Sequence, residues 1–187
     1  MDTTVRHTFD VGFDAYWKDL FFCKDYQTAL HMEGLNSAQA VVELHEEHDD
    51  GRIFQRVRIE PRVPMPGPIK KLLGDRVVYI EEGVFDPQDG RYRFKILPSV
   101  LASSSNIQGV LWATPTGTHQ VERTCTLSVN VKVRGAGKIL EKFISRSYEK
   151  NIDEAARFTS TYIARTYVPG SSTRLSNAQG TGTIQVG

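Results

Sequence analysis

The stretch R123-TCTLSVNVKVRGAGKILEK-F143 decides the fold. Up to Val133 the apolar residues fall at every second position: Val121, Cys125, Leu127, Val129, Val131 and Val133 share one side. Glu122, Thr124, Thr126, Ser128, Asn130 and Lys132 share the other. This period of two describes a strand with one dry face and one wet face. After Gly135-Ala136-Gly137 the spacing lengthens to three or four: Leu140, Ile144, Tyr148, Ile152, Ala155, Thr159 and Tyr162 form one stripe. A helix from Lys138 to about Thr166 is therefore expected, on the order of 40 Å long at 1.5 Å per residue. Glycine lets the chain turn there without a Cβ penalty. The dry face of the strand and the dry stripe of the helix need each other, so the corner folds one onto the other.

Working back from this corner, the chain reads as short strands joined by tight turns. TTVRHTFDV (3–11) alternates as a strand, and GFDAYWKDLFF and KDYQTALHM follow as two short helical pieces. SAQAVVELHEEHDDGRIFQRVRIEPRV reads as a hairpin about Asp50-Gly51, a pair that takes positive φ readily. PMPGPIKKLLG interrupts the strands with prolines and a short amphipathic turn. RVVYIEEGVF, RYRFKIL, IQGVLWA and the strand ending at Val133 complete about seven strands. Short connections favour an antiparallel sheet. The expectation is an α+β domain over 1–167, a curved antiparallel sheet wrapped around a long C-terminal helix. The Gly, Ser and Thr-rich stretch 168–187 reads as a flexible tail.

Composition limits the function. The chain has 187 residues, 23 basic and 22 acidic, with 40% hydrophobic residues. This is an ordinary globular balance, without the basic excess that marks nucleic-acid binders. No apolar run reaches the roughly 20 residues needed to span a bilayer, and the N-terminus lacks a secretory pattern. Two cysteines make no disulfide framework, so a cytoplasmic, reducing setting is expected. There is no G-x-S-x-G, P-loop, H-E-x-x-H or paired C-x-x-C. No metal or cofactor is implied. His45 and His48 in LHEEHDDG read as a solvated acidic hairpin rather than a metal pair, because alternation sends them to opposite faces.

A sheet curved around a helix rarely closes, and the gap is a natural pocket. Arg123 falls on the dry face of the last strand, where an unpaired charge is costly. Either it anchors a ligand hydroxyl or carboxylate, with Glu81 or Glu82 as its partner, or it reaches solvent at the strand's start. Glu82, Tyr79, Tyr92, Phe94, Leu111, Cys125, Tyr148 and Ile152 are the other expected lining residues. The face on which Trp112 lies is left open. Met65, Ile69, Leu72 and Leu73 beside Lys70 and Lys71 form either a gate that touches a membrane surface transiently or a structural flap.

The element order, with VPMPGPIKKLLG (63–74) between the third and fourth strands and VNVKVRGAGKILEKFI (129–144) at the corner, resembles the START-like, or helix-grip, superfamily. The resemblance covers about residues 3–167 and is similar to its bacterial domain-of-unknown-function branches. It implies a cavity between the sheet and the C-terminal helix for a hydrophobic ligand, a lipid of the sterol or fatty-acyl kind, for lipid transport or sensing, and no cofactor. Two other readings stay open: an enzyme similar to the polyketide cyclases of that fold, and a regulatory or assembly module whose cavity its own side chains fill. The absence of an inward-directed histidine favours a binder over an enzyme.

Overall fold

A computed structural model describes residues 1–167; the tail expected over 168–187 lies outside them. Seven strands form one antiparallel sheet in the order β1-β7-β6-β5-β4-β3-β2. They are β1 (Asp2–Phe9), β2 (Gln39–Glu47), β3 (Ile53–Glu60), β4 (Tyr79–Asp86), β5 (Arg91–Pro98), β6 (Ser105–Gly117) and β7 (Gln120–Val131). Only β1 leaves its sequence neighbour, returning to the free edge of β7 with Phe9 opposite Val121. The first strand stops short of the expected Val11, because the chain turns there towards Gly12, yet Val11 stays fully buried.

The helices lie on one side of the sheet. α1 (Phe13–Ala15) runs on as a π-helical turn, Tyr16–Phe21, and α2 (Lys24–Ala29) runs on as another, Leu30–Gly34. α3 (Gly67–Leu73) sits between β3 and β4. α4 (Gly137–Thr166) is the long helix read from the sequence, one residue longer at its start.

The corner between β7 and α4 explains its two glycines separately. Gly135 holds φ at 75°, a left-handed conformation costly for other residues. Gly137 passes so close to the Val131 carbonyl that a Cβ would collide with it. Glu141 seals the turn by accepting a hydrogen bond from the Val131 amide at 2.9 Å.

The core fills the space between sheet and α4. Val121, Cys125, Leu127 and Val129 of β7 are all buried, as are Ile107, Leu111 and Ala113 of β6 and Tyr92 and Phe94 of β5. Trp112 faces the other way, on the outer side of the sheet, with the Arg91 guanidinium 5.1 Å from its ring. Gly83 and Gly109 make room for large rings: a Cβ at Gly83 would run into Tyr92, and one at Gly109 into Phe94. The small residues on β4 and β6 thus accommodate the aromatic residues of β5.

Polar pairs fix α4 against its surroundings. From β1, Thr3 donates to Glu149 Oε1 at 3.1 Å and His7 Nε2 meets Asp153 Oδ1 at 2.9 Å. The two pairs follow the same order along both elements, so β1 and the middle of α4 run in the same sense. From α2, the buried Tyr26 hydroxyl bonds Thr159 at 2.6 Å. Phe158 packs directly on Gly34, which closes the second π-helical turn over the helix.

Candidate functional site

Between α4, the π-helical turns and strands β3–β7 lies a cavity of about 130 Å³. A second chamber of about 120 Å³ lies towards the β5–β6 loop. Both adjoin a wide mouth of about 510 Å³ between α4 and the segment 59–69. Tyr79 and Asn151 line all three, so the three spaces meet at that pair.

Alternation along each strand sets the lining. Tyr79 and Glu81 of β4, Tyr92 and Phe94 of β5, Leu111 of β6 and Arg123 of β7 all line the first chamber. Tyr148 and Ile152 face it from α4. Seven residues expected from the sequence thus meet here: Tyr79, Tyr92, Phe94, Leu111, Arg123, Tyr148 and Ile152. Cys125 stands behind them. Its sulfur bonds the Tyr148 hydroxyl at 2.8 Å, and burial pushes its thiol up to about 11, so it is an inert thiol that positions Tyr148.

Glu82 is a correction. It points to the outer side of the sheet and pairs with Arg56 at 3.0 Å, while Glu81 takes the inward position. Burial pushes the Glu81 carboxyl up to about 7, against the opposing effect of a 3.4 Å hydrogen bond donated by Tyr92. Near neutrality this carboxyl is therefore poised between its acid and its carboxylate.

Arg123 is 6% exposed, so it does not reach solvent, and neither glutamate is its partner. Its Nη2 donates to His7 Nδ1 at 3.0 Å and to the Ile152 carbonyl of α4 at 3.3 Å. Its guanidinium lies 5.0 Å from the Phe9 ring centre. His7 accepts from Arg123 through Nδ1, which leaves Nε2–H to donate to Asp153. Burial, the main cause, holds the His7 pKa below its usual value, so the ring stays neutral and keeps this arrangement. The charge of Arg123 therefore meets no carboxylate directly. Its Nε is buried and makes no well-formed hydrogen bond among the described residues; the hydroxyl of Tyr16, likewise without one, lines the same chamber near the guanidinium, whose attraction opposes the rise that burial gives the Tyr16 pKa. Unpaired buried polar atoms are rare in folded proteins and call for an explanation.

Several lining residues had no clear signal in the sequence. Tyr16, Tyr26 and His31 come from the helical pieces after β1, and Gln55 from β3. Tyr16 and His31 lie in the π-helical turns, which depart from an α-helical count. His31 lines both the mouth and the first chamber, which overturns the expectation that no histidine is directed inward, and burial pushes its pKa down to about 4.

The expected gate residues separate. Ile69 is buried and lines the mouth, Leu73 lines the second chamber, and Met65 packs against the core. Leu72 is 40% exposed, and Lys70 pairs with Asp75 at 2.7 Å. Among the described residues no three His, Cys, Asp or Glu side chains group as a metal site would require. None of the described helices is long and apolar enough to cross a membrane.

No curated protein matches the chain. Solved structures do. The ZhuI aromatase/cyclase from Streptomyces sp. R1128 aligns with a TM-score of 0.60 at 11% identity, over 87% of this chain and 95% of that one. A START superfamily protein from Mycobacterium smegmatis aligns with a TM-score of 0.57 at 12% identity, over 87% and 98%. Norcoclaurine synthase from Thalictrum flavum, solved with dopamine and hydroxybenzaldehyde, aligns with a TM-score of 0.55 at 15% identity, over 90% of each chain. At these identities the likeness is one of fold, and the fold is the START-like helix grip. Residues 4–163 match the family described as "Protein of unknown function (DUF2505)", so the chain belongs to that family.

Proposed function

We propose that residues 1–167 form a binding domain for a hydrophobic small molecule, held between the sheet and α4 with an oxygen of the ligand on Arg123. The observation that carries this reading is the buried Arg123, whose Nε makes no well-formed hydrogen bond, in the wall of an otherwise largely aromatic and aliphatic chamber. Such a wall gives affinity through apolar burial, and one charged donor gives orientation. The START superfamily likeness supports a ligand-binding use of the fold. In this reading the ligand is a lipid or an aromatic compound that the protein carries or senses in the cytoplasm, without nucleic acid as a partner. Exposed Leu72 beside Lys71 suits brief contact with an anionic membrane surface during loading.

Size refines the ligand. A cavity of about 150 Å³ holds one benzene-sized molecule. Each chamber therefore suits a single ring or a short acyl segment, and a sterol-sized molecule would need both chambers and part of the mouth.

The test is Arg123→Leu beside Arg123→Lys. Native mass spectrometry and solvent extraction of protein from its own host identify the bound compound. Leu is expected to weaken its binding about tenfold to a hundredfold, the effect of losing a hydrogen bond to a charged group, and Lys to restore part of it. Unchanged affinity in Arg123→Leu would make Arg123 a structural tie between β7 and α4 only.

One observation favours a second reading, acid–base catalysis of the kind a cyclase needs. Glu81, with its carboxyl near 7, faces the same chamber as Arg123, and perturbed carboxyls in clefts mark catalytic sites. The aromatase/cyclase likeness is consistent with it. Turnover of an aromatic polyketone by the wild type but not by Glu81→Gln would favour this reading over the carrier.

A further inference from the structure

The mouth carries charge that the fold does not use. Lys138, Lys142, Arg146 and Lys150 recur every fourth residue along α4, all exposed, and the last three line the mouth. One turn separates each from the next, so the row spans about 18 Å. Like charges at this spacing oppose helix formation. Lys142 and Arg146 have no ion-pair partner among the described residues. Only Lys150 has one, Glu154 at 3.7 Å, and Glu154 is the one acidic residue lining the mouth. Across the opening stands Arg62, whose Nη1 bonds the Asn36 side chain at 2.8 Å and so holds its charge at the rim. His31 adds no charge, since burial keeps it neutral near pH 7.

We infer that the mouth is a subsite for an anionic head, phosphate or carboxylate, joined to the hydrophobic group that enters the chambers. This rests on the binding role proposed above and names the ligand class, an anionic amphiphile. Two features point the same way. The chambers are too small to take in a whole lipid, so part of any such ligand stays in the mouth. There it meets Lys142 and Arg146 from the helix and Arg62 from the opposite wall. Exposed Ile139, which also lines the mouth, offers an apolar surface between the two environments. The head is held at the surface, where salt screens its attraction to the basic row.

The experiment compares dodecyl phosphate with dodecanol, both below their aggregation concentrations, by calorimetry on the full chain. The phosphate should bind about tenfold more tightly at low ionic strength, and the difference should shrink at high salt. In K142E/R146E the preference should vanish or reverse, while dodecanol, which lacks the head, serves as the folding control; K142Q/R146Q should fall between. Equal affinity of wild type for the two probes, or a preference that survives the charge reversal, overturns the inference and leaves the cavity reading standing. Failure of both probes to bind wild type overturns this inference and the acyl form of the cavity reading, and leaves an aromatic compound as the cavity's ligand. Inorganic phosphate should not compete at the same concentration. Competition as strong as that of the amphiphile would show a site for free anions, and the head would then not belong to the cavity's ligand.

Discussion

Glu81 shows what a single residue's environment does to the whole molecule. Its carboxyl ordinarily titrates near 4.5, and burial raises it to about 7 in the fold. Between those values the folded state binds more protons than the unfolded chain. Stability therefore falls as pH rises from about 4.5 to about 7 and changes no further above that. Glu81→Gln removes this dependence. The variant should match wild type near pH 4 and exceed it at pH 8, by at most about 3 kcal/mol, less whatever water in the cavity screens. Urea unfolding at the two pH values measures the difference. His31 acts in the opposite sense, since its lowered pKa costs stability as pH falls from 6.5 through about 4, but this contribution is common to both proteins and cancels. An equal gap at both pH values would show that folding leaves the Glu81 pKa where the unfolded chain has it. The sequence could not decide between Glu81 and Glu82. In RVVYIEEGVF each face of the strand offers three apolar residues, Val77, Tyr79 and Phe85 on one and Val78, Ile80 and Val84 on the other. The deciding fact is a contact from the neighbouring strand, the Tyr92 ring over Gly83, which makes the Gly83 face the inner one. Arg123 was legible as a charge on the dry face because β7 alternates so cleanly, but whether it reached solvent was not. Its partner His7 was not, because it comes from the far end of the chain, 116 residues away.

At the scale of elements, the periods of two and of three to four were enough to place seven strands and the long helix. Burial on one side governs both, and the pattern it leaves is local. The π-helical turns after β1 were not legible, because Tyr16–Phe21 and Leu30–Gly34 keep a helical apolar spacing while widening the hydrogen-bonded turn. Such turns are uncommon, and here both contribute side chains to the chamber, Tyr16, Leu20, Leu30 and His31 among them. The β7–α4 corner makes separable predictions for its two glycines. Gly135→Ala should cost about 1–2 kcal/mol through its left-handed backbone alone. Gly137→Ala should cost about 1–3 kcal/mol through overpacking against the Val131 carbonyl, and should also loosen the Glu141 seal. Equilibrium denaturation gives both values. If Gly137→Ala were neutral, the helix would start further from β7 than the close approach requires, and the mouth beside it would change shape.

For the whole molecule, the question is how a ligand passes a mouth bounded by a stable helix on one side. α4 is tied to β1, β7 and α2 by Glu149, Asp153, the Ile152 carbonyl and Thr159, so it is the fixed wall. The opposite wall is the segment 59–69 with α3, a seven-residue helix with no side-chain cap at its N-terminus. Its attachments are the buried Ile69, the Leu73 contact with the second chamber and the Glu60–Arg76 pair at 2.6 and 2.7 Å, which spans its base. A short helix held at its base and by one face opens at lower cost than the sheet does. The amides of 67–73 should therefore exchange with deuterium much faster than those of β7 and the centre of α4, and ligand should slow them selectively. Glu60→Gln, which weakens the basal pair, should quicken exchange in α3 without changing that of β7, and should raise both the entry and the exit rates of ligand while its affinity stays nearly constant. Exchange in α3 as slow as in β7, unaffected by ligand, would make this segment a fixed flap, and the ligand's path would then have to lie between the π-helical turns and α4.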